Sequence, residues 1–302
     1  MSLKSSYSNL DLVARVDSSL QMRMKNYYYF MIDGFPKPFG YVHTSTISRV
    51  SWDEHWAIDA EHRFLTLNGG DTFAERTWRM EETSRPNLKV NSSSVFGRWC
   101  DELFPLYDDD GQHILDMDGA GVDAFGIVNY TCHLIAYVKT SEGTKYWVPR
   151  RAKTKLSHPN MLDNTVGGSL ASGEKPVDYI YTRANITACG ALSYSMTQTD
   201  DGRPGCQHQV QYLYEMEMLT GIVLTPNDGE AQDFQLNTLE NVVCASRKSE
   251  FKLNCAMTWM AFLIRHGHVN AENESNFMEI SARLHRRHDL FIVKWTDKRG
   301  MD

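Results

Sequence analysis

The residues best suited to chemistry lie between Arg150 and Glu174. In Met161–Glu174, MLDNTVGGSLASGE, the apolar Leu162 and Val166 flank a polar Asn164, and the run breaks into Gly167 and Gly168 before reaching Gly173 and Glu174. Glycines permit backbone conformations closed to other residues. A strand, a glycine turn and an acid at a loop edge can hold a cation or a phosphate, although most such turns are only turns. Just upstream, Arg150, Arg151, Lys153 and Lys155 form a local basic cluster after the YWVP segment. Arginines grip phosphate through two parallel hydrogen bonds, while the same cluster also reads as a solvated loop. Tyr146, Trp147 and Phe39 are suited to stacking on a heteroaromatic ring or to filling a core. Glu215 and Glu217 share one face of a strand, as a metal-binding pair or, more simply, as an exposed strand face. The acidic run Asp108–Asp110 reads as a solvated hairpin tip in preference to a cation site.

Composition narrows the classes. A chain of 302 residues can bury a large core, and two domains are expected at that length. It is 42% hydrophobic and 23% charged, with no apolar run near the length of a membrane helix, so no membrane partner is expected. A net charge of −7 argues against broad nucleic-acid binding, which needs a basic face, and any anion site must be local. The first twenty residues carry Asp11 and Asp17 and lack a continuous apolar stretch, which points away from a secretory or mitochondrial leader and towards a cytoplasmic protein. Six cysteines, at 100, 132, 189, 206, 244 and 255, show no CxxC pair or zinc spacing. Cys132 and Cys255 sit in apolar runs and are expected to pack as small hydrophobes.

These groups must be positioned by regular elements. Leu10, Val13, Val16 and Leu20 recur at helical spacing after Ser8-Asn9 and predict a first amphipathic helix. Tyr27–Ile32 and Phe39–His43 read as strands, Ser51–Leu67 ends in a strand-like FLTLN, and Asp71–Ser84 reads as a helix opened by an acidic cap. Strands at Trp99–Tyr107 and His113–Met117 bracket a DDDG turn. From Ala124 the texture becomes β-rich, so a smaller α+β domain is expected over 1–123 and a second domain over 124–302. In the latter, strands come first and helices return at Phe251–Gly267, ended by a glycine cap, and at Phe277–Arg287. That order predicts an α/β sandwich with a mixed sheet.

The run YWVPRRAKTKLSHPNMLDNTVGGSLASGE, then PNDGEAQDF, then FKLNCAMTWMAFLIRHG, resembles the Nudix hydrolases, specifically the fungal and plant branch related to thiamine pyrophosphokinase. The first 120-odd residues also resemble the N-terminal domain found in that branch. The resemblance implies a Nudix-type α/β/α sandwich and metal-dependent hydrolysis of a small-molecule diphosphate, with a thiamine diphosphate derivative as substrate class. It also implies Mg2+ or Mn2+ held by Gly168, Glu174 and Glu230, of which Glu174 and Glu230 would be catalytic. Arg150, Arg151, Lys153 and Lys155 would bind the substrate.

The Nudix signature runs from a glycine through a glutamate to an Arg-Glu pair and a Glu-Glu pair on one helix, placing carboxylates one turn apart. Gly168 and Glu174 match its first half. The Arg-Glu positions hold Thr182 and Arg183, and the Glu-Glu positions hold Ile186 and Thr187. ANITACGALSYSM resembles the strand that follows the helix, and the 13 residues between Glu174 and Ala188 are too few for a three-turn helix and its loop. The sequence therefore predicts a missing box helix, by internal deletion or divergence, and two outcomes: a diphosphate hydrolase, or a catalytically inactive ligand-binding or regulatory protein. Asp228 reads as a turn residue ahead of Gly229.

Overall fold

The computed structural model describes residues 6–17, 24–88, 95–155, 157–176, 186–198, 204–226, 229–287 and 289–291. The first helix, α1 (Asn9–Val16), is opened by a capping box in which Ser8 and Asp11 satisfy each other's backbone N–H groups, and it buries Leu12, Val13 and Val16. A four-stranded sheet follows, built from β1 (Tyr27–Ile32), β2 (Gly40–His43), β3 (Trp56–Asp59) and β4 (Phe64–Leu67) in the order β2-β1-β4-β3, with helix α2 (Thr44–Arg49) after β2. Helix α3 (Phe73–Asn87) starts at a Thr72–Glu75 capping box, so its cap is Thr72 where the sequence had suggested an acid. Strands β5 (Leu103–Tyr107) and β6 (His113–Asp118) form a separate hairpin. Asp108 caps its tip by accepting the N–H groups of Asp110 and Gln112, at 3.0 and 2.8 Å, as the acidic run predicted.

Helix α4 (Gly119–Phe125) leads into the larger sheet. Its strands are β7 (Val128–Thr140), β8 (Gly143–Arg151), β9 (Val166–Ser169), β10 (Ile186–Gln198), β11 (Pro204–Glu217) and β12 (Ala231–Asn237). The order is β10-β11-β7-β8-β12, with β7 and β11 parallel and the other neighbours antiparallel. One edge of β7 is divided, because β9 pairs with Thr131–Leu134 and β8 with Tyr137–Thr140. The sheet is mixed, as expected, and Ile186 and Thr187 open β10. Helices α5 (Leu239–Arg247), α6 (Leu253–Arg265) and α7 (Phe277–Arg283) follow, with Gly267 in the left-handed region (φ 74°) just past α6.

Helix α6 is buried almost all round. Trp259, Met257 and Phe262 pack with Tyr146, Leu192, Tyr194 and Leu213 of the large sheet. Leu12, Val13 and Val16 of α1 belong to the same core, so the first helix completes the C-terminal half. Another cluster joins Tyr27 and Tyr41 to Cys132, Leu134 and Leu170. Where β2 meets the end of α4, a Cβ on Gly126 would lie 2.4 Å from the Tyr41 carbonyl oxygen and one on Gly40 2.3 Å from that of Phe125, so this crossing requires glycine on both sides. The boundary expected at 123/124 falls inside α4.

Candidate functional site

Strand β8 delivers the basic segment and β12 runs back beside it, with Ala231 opposite Arg151. The Ala152 N–H donates to the Glu230 carbonyl at 3.0 Å, and the Lys155 N–H to the Ala152 carbonyl at 3.2 Å. This turn brings the Lys155 ammonium onto Glu230 Oε1 as an ion pair. Two residues singled out separately in the sequence therefore meet, although 75 positions apart.

Glu174 ends the turn after β9. Its N–H donates to the Ala171 carbonyl at 3.1 Å and its Oε2 accepts the Ala171 N–H at 2.9 Å. Gly173 is left-handed (φ 85°), as the turn requires. Gly167 and Gly168 are not; they are strand residues of β9, where Gly168 lies opposite Cys132. The special conformation expected of all three glycines is thus confined to Gly173. At Gly167 the constraint is space, since a Cβ there would lie 3.1 Å from His133 Nδ1 and 3.2 Å from Asp163 Oδ1.

A further carboxylate, invisible to sequence reasoning, comes from the N-terminal half. Glu102, an exposed residue, precedes β5, and its carboxyl is pushed above the ordinary range by partial desolvation, then by the Glu174, Asp118 and Glu230 carboxylates, with Lys155 opposing. Glu102, Glu174, Glu230 and Lys155 therefore share one electrostatic environment, brought together from four separate chain segments. In WCDELFP, Glu102 has no local signal that sets it apart from any surface acid.

The basic cluster divides. Lys153 is exposed. Arg150 Nη1 donates to the Asn160 carbonyl at 2.8 Å. Arg151 is turned inward: it is 8% exposed, and its guanidinium donates to Asp163 Oδ2 (2.6 Å) and to the His158 and Ser157 carbonyls (3.2 and 3.1 Å). Each of its nitrogens is engaged inside the protein, which leaves Arg150, Lys153 and Lys155 as the outward cations.

Tyr146, Trp147 and Phe39 are core residues. Cys132 and Cys255 are fully buried, as expected, and the Cys255 thiol donates to Asp163 Oδ1 at 2.8 Å. Glu217 is exposed and pairs with Lys139 at 2.7 Å. Glu215 corrects the expectation of an exposed strand face, because it is 7% exposed and binds Arg265 and His266 at the end of α6. Among the described residues, no three His, Cys, Asp or Glu side chains stand close enough to hold a metal ion. Glu230 is engaged by Lys155 and Glu174 by the Ala171 amide, so these carboxylates by themselves are not a metal cage. Of the interval between Glu174 and Ala188, where the box helix is expected to be missing, Ile186 and Thr187 lie in β10, while residues 177–185, with Thr182 and Arg183, are outside the described residues, as is Asp228. No described helix is long and apolar enough to cross a membrane.

No protein-family model matches the chain. A protein of Saccharomyces cerevisiae, YJR142W, is 30% identical over an alignment of 315 residues, gaps included, that covers 93% of this chain and 91% of the yeast protein, and the two belong to one family. Two chloroplastic proteins of Arabidopsis thaliana extend the relationship: Nudix hydrolase 20 is 28% identical over 200 residues (62% of this chain) and Nudix hydrolase 24 is 28% identical over 198 residues (61% of this chain). The chain spans about half the length of these two relatives, 52% and 53%. Their likeness supports the Nudix hydrolase family, and the mixed sheet with its packed helices is consistent with the Nudix-type α/β/α fold.

Proposed function

We propose that this chain hydrolyses a small-molecule diphosphate, with a thiamine diphosphate derivative as substrate class. The observation that carries the proposal is the Lys155–Glu230 ion pair at the end of β8, with the Glu174 turn after β9 and with Glu174 and Glu230 both acting electrostatically on Glu102. Lys155, Arg150 and Lys153 supply positive charge for the phosphates. The carboxylates supply proton acceptors for an attacking water, and Glu102, whose carboxyl keeps its proton to a higher pH than usual, is suited to exchange one with the reacting groups. Relatedness to the Nudix hydrolases supports the diphosphate class. The Mg2+ or Mn2+ that the family resemblance implies finds no three-donor site among the described residues, which do not include 177–185.

The test is phosphate release from thiamine diphosphate and its oxidised analogues with Mg2+ present. Turnover that falls about a hundredfold or more in Glu230→Gln supports hydrolysis. A second function, ligand binding without turnover, is favoured by one observation: Glu230 and Glu174 are both already engaged by protein groups. Saturable binding of thiamine diphosphate with no phosphate released selects it. An internal deletion between Glu174 and Ala188 belongs with that alternative, and an uninterrupted transcript across codons 174–190 with this same junction rules out a gene-model error. Cytoplasmic residence belongs to the same proposal.

A further inference from the structure

Ser172 stands two residues before Glu174 in the same turn. Its N–H donates to the Leu103 carbonyl at 2.7 Å, and its hydroxyl donates to Asp116 Oδ2 at 2.9 Å. Both acceptors belong to the β5–β6 hairpin, and Asp116 lies 56 positions upstream. Asp116 is itself fixed. It is 6% exposed, its N–H donates to Thr77 Oγ1 at 3.0 Å, and its Oδ1 meets His113 Nε2 at 2.7 Å. A nearly buried carboxylate with its backbone tied to Thr77 and its other oxygen on His113 is a rigid acceptor. The turn also closes on itself through the two Ala171–Glu174 hydrogen bonds. Where the Glu174 carboxylate stands is therefore set by the hairpin as well as by β9.

Resting on the hydrolase proposal above, we propose that Asp116 and Ser172 are positioning residues: the N-terminal hairpin holds the Glu174 turn, which makes the N-terminal half a working part of the diphosphate site. Asp116 acts only through Ser172. Reacting groups tolerate little displacement, with a 1 Å error worth about a hundredfold in rate. A turn anchored at both its backbone and its side chain limits that error, and a turn anchored by β9 alone does not.

The test compares the full-length wild type with Ser172→Ala, Ser172→Thr and Asp116→Ala. Amide hydrogen exchange across residues 170–175 reads the turn, and steady-state kinetics with thiamine diphosphate and Mg2+ reads the chemistry. In Ser172→Ala, exchange at Ala171 and Glu174 rises about tenfold, the equivalent of one net hydrogen bond. Its kcat falls about tenfold or more while KM stays within about twofold. Ser172→Thr, which keeps the hydroxyl, restores both. Asp116→Ala reproduces Ser172→Ala, and if its fold is lost the smaller Ser172 change still decides. Wild-type exchange in Ser172→Ala overturns the positioning role whatever the turnover. A raised KM with unchanged kcat also overturns it, by making Ser172 a substrate contact. Raised exchange in a protein whose wild type shows no turnover leaves the hairpin's hold on the turn intact and removes the hydrolase proposal instead.

Discussion

Arg151 and Asp163 meet at 2.6 Å with about a tenth of each side chain exposed, 9% and 11%. Breaking a buried pair from one side leaves an uncompensated charge, which costs roughly 3–5 kcal/mol. Arg151→Ala is therefore expected to lose stability of that order in urea unfolding at pH 7. An arginine used for gripping phosphate would instead lose affinity with its stability unchanged. Burial alone pushes the Asp163 carboxyl up, but Lys252, the Cys255 thiol and Arg151 outweigh it and hold it below the usual range. A carboxylate lowered by folding stabilises fully above its unfolded value and loses that contribution as pH falls through the folded one. Its share of the acid loss falls below about pH 4.

His133 places a second, separate step at higher pH. The ring is 1% exposed, with Nδ1 at 2.8 Å from Asn164 Oδ1, and burial pushes its pKa down from 6.5 to about 4 against the pull of Asp163 and Asn164. Between those values the unfolded chain takes up a proton that the folded chain refuses. Stability is then full above the unfolded value and falls as pH drops towards the folded one, by roughly 3 kcal/mol. Urea midpoints at pH 7 and pH 5 should separate for the wild type and converge for His133→Gln. Equal separation in the two proteins would assign the step to other groups.

Signals that lie within a few residues of one another were legible in advance, and pairings across the chain were not. Caps and apolar spacing announced the helices at Asn9–Val16, Phe73–Asn87 and Leu253–Arg265, because those signals lie within a few residues of one another. The strands at Val128–Thr140 and Gly143–Arg151 were equally local, whereas the strand at Ala231–Asn237 carried no such signal. The parallel pairing of β7 with β11 was not, since Val128 meets His208 across 80 positions and strand composition does not encode a partner. Arg150 and Arg151 are chemically identical in the sequence, and alternation along β8 sends one outward and the other onto Asp163. Glu174, Glu230 and Lys155 stood out through residue type and motif order, but the contact of Lys155 with Glu230 did not. Glu102 and Asp116 did not stand out, because their roles come from a hairpin docked on a turn more than fifty positions away.

Glu102 should give a small effect of opposite sign to Asp163. Though exposed, its carboxyl is raised by partial desolvation and by neighbouring carboxylates, so the folded chain keeps a proton that the unfolded chain has released. Stability falls as pH rises through that window, and at pH 7 the ionised group opposes folding. Glu102→Gln is expected to gain stability, by less than about 1 kcal/mol after solvent screening, while turnover declines. A thermal melt at pH 7 reads the first change and the phosphate-release assay the second; lower stability together with full activity would separate Glu102 from the site.

Lys155 and Glu230 test the site from its other side. Their side chains are 27% and 59% exposed, and an ion pair open to solvent contributes about 0–1 kcal/mol to folding. Lys155→Ala should therefore leave the urea midpoint nearly unchanged. Binding is another matter, because a diphosphate brings its own charge to the ammonium and a charge-assisted contact is worth about 1.5–3 kcal/mol, a tenfold to hundredfold change in affinity. KM for thiamine diphosphate is expected to rise by that factor. Added salt should weaken binding in the wild type more steeply than in the variant, since fewer charges remain to be screened. A variant that keeps both the wild-type KM and its salt dependence would shift the phosphate grip onto Arg150 and Lys153, leaving Lys155 as no more than the partner that fixes Glu230.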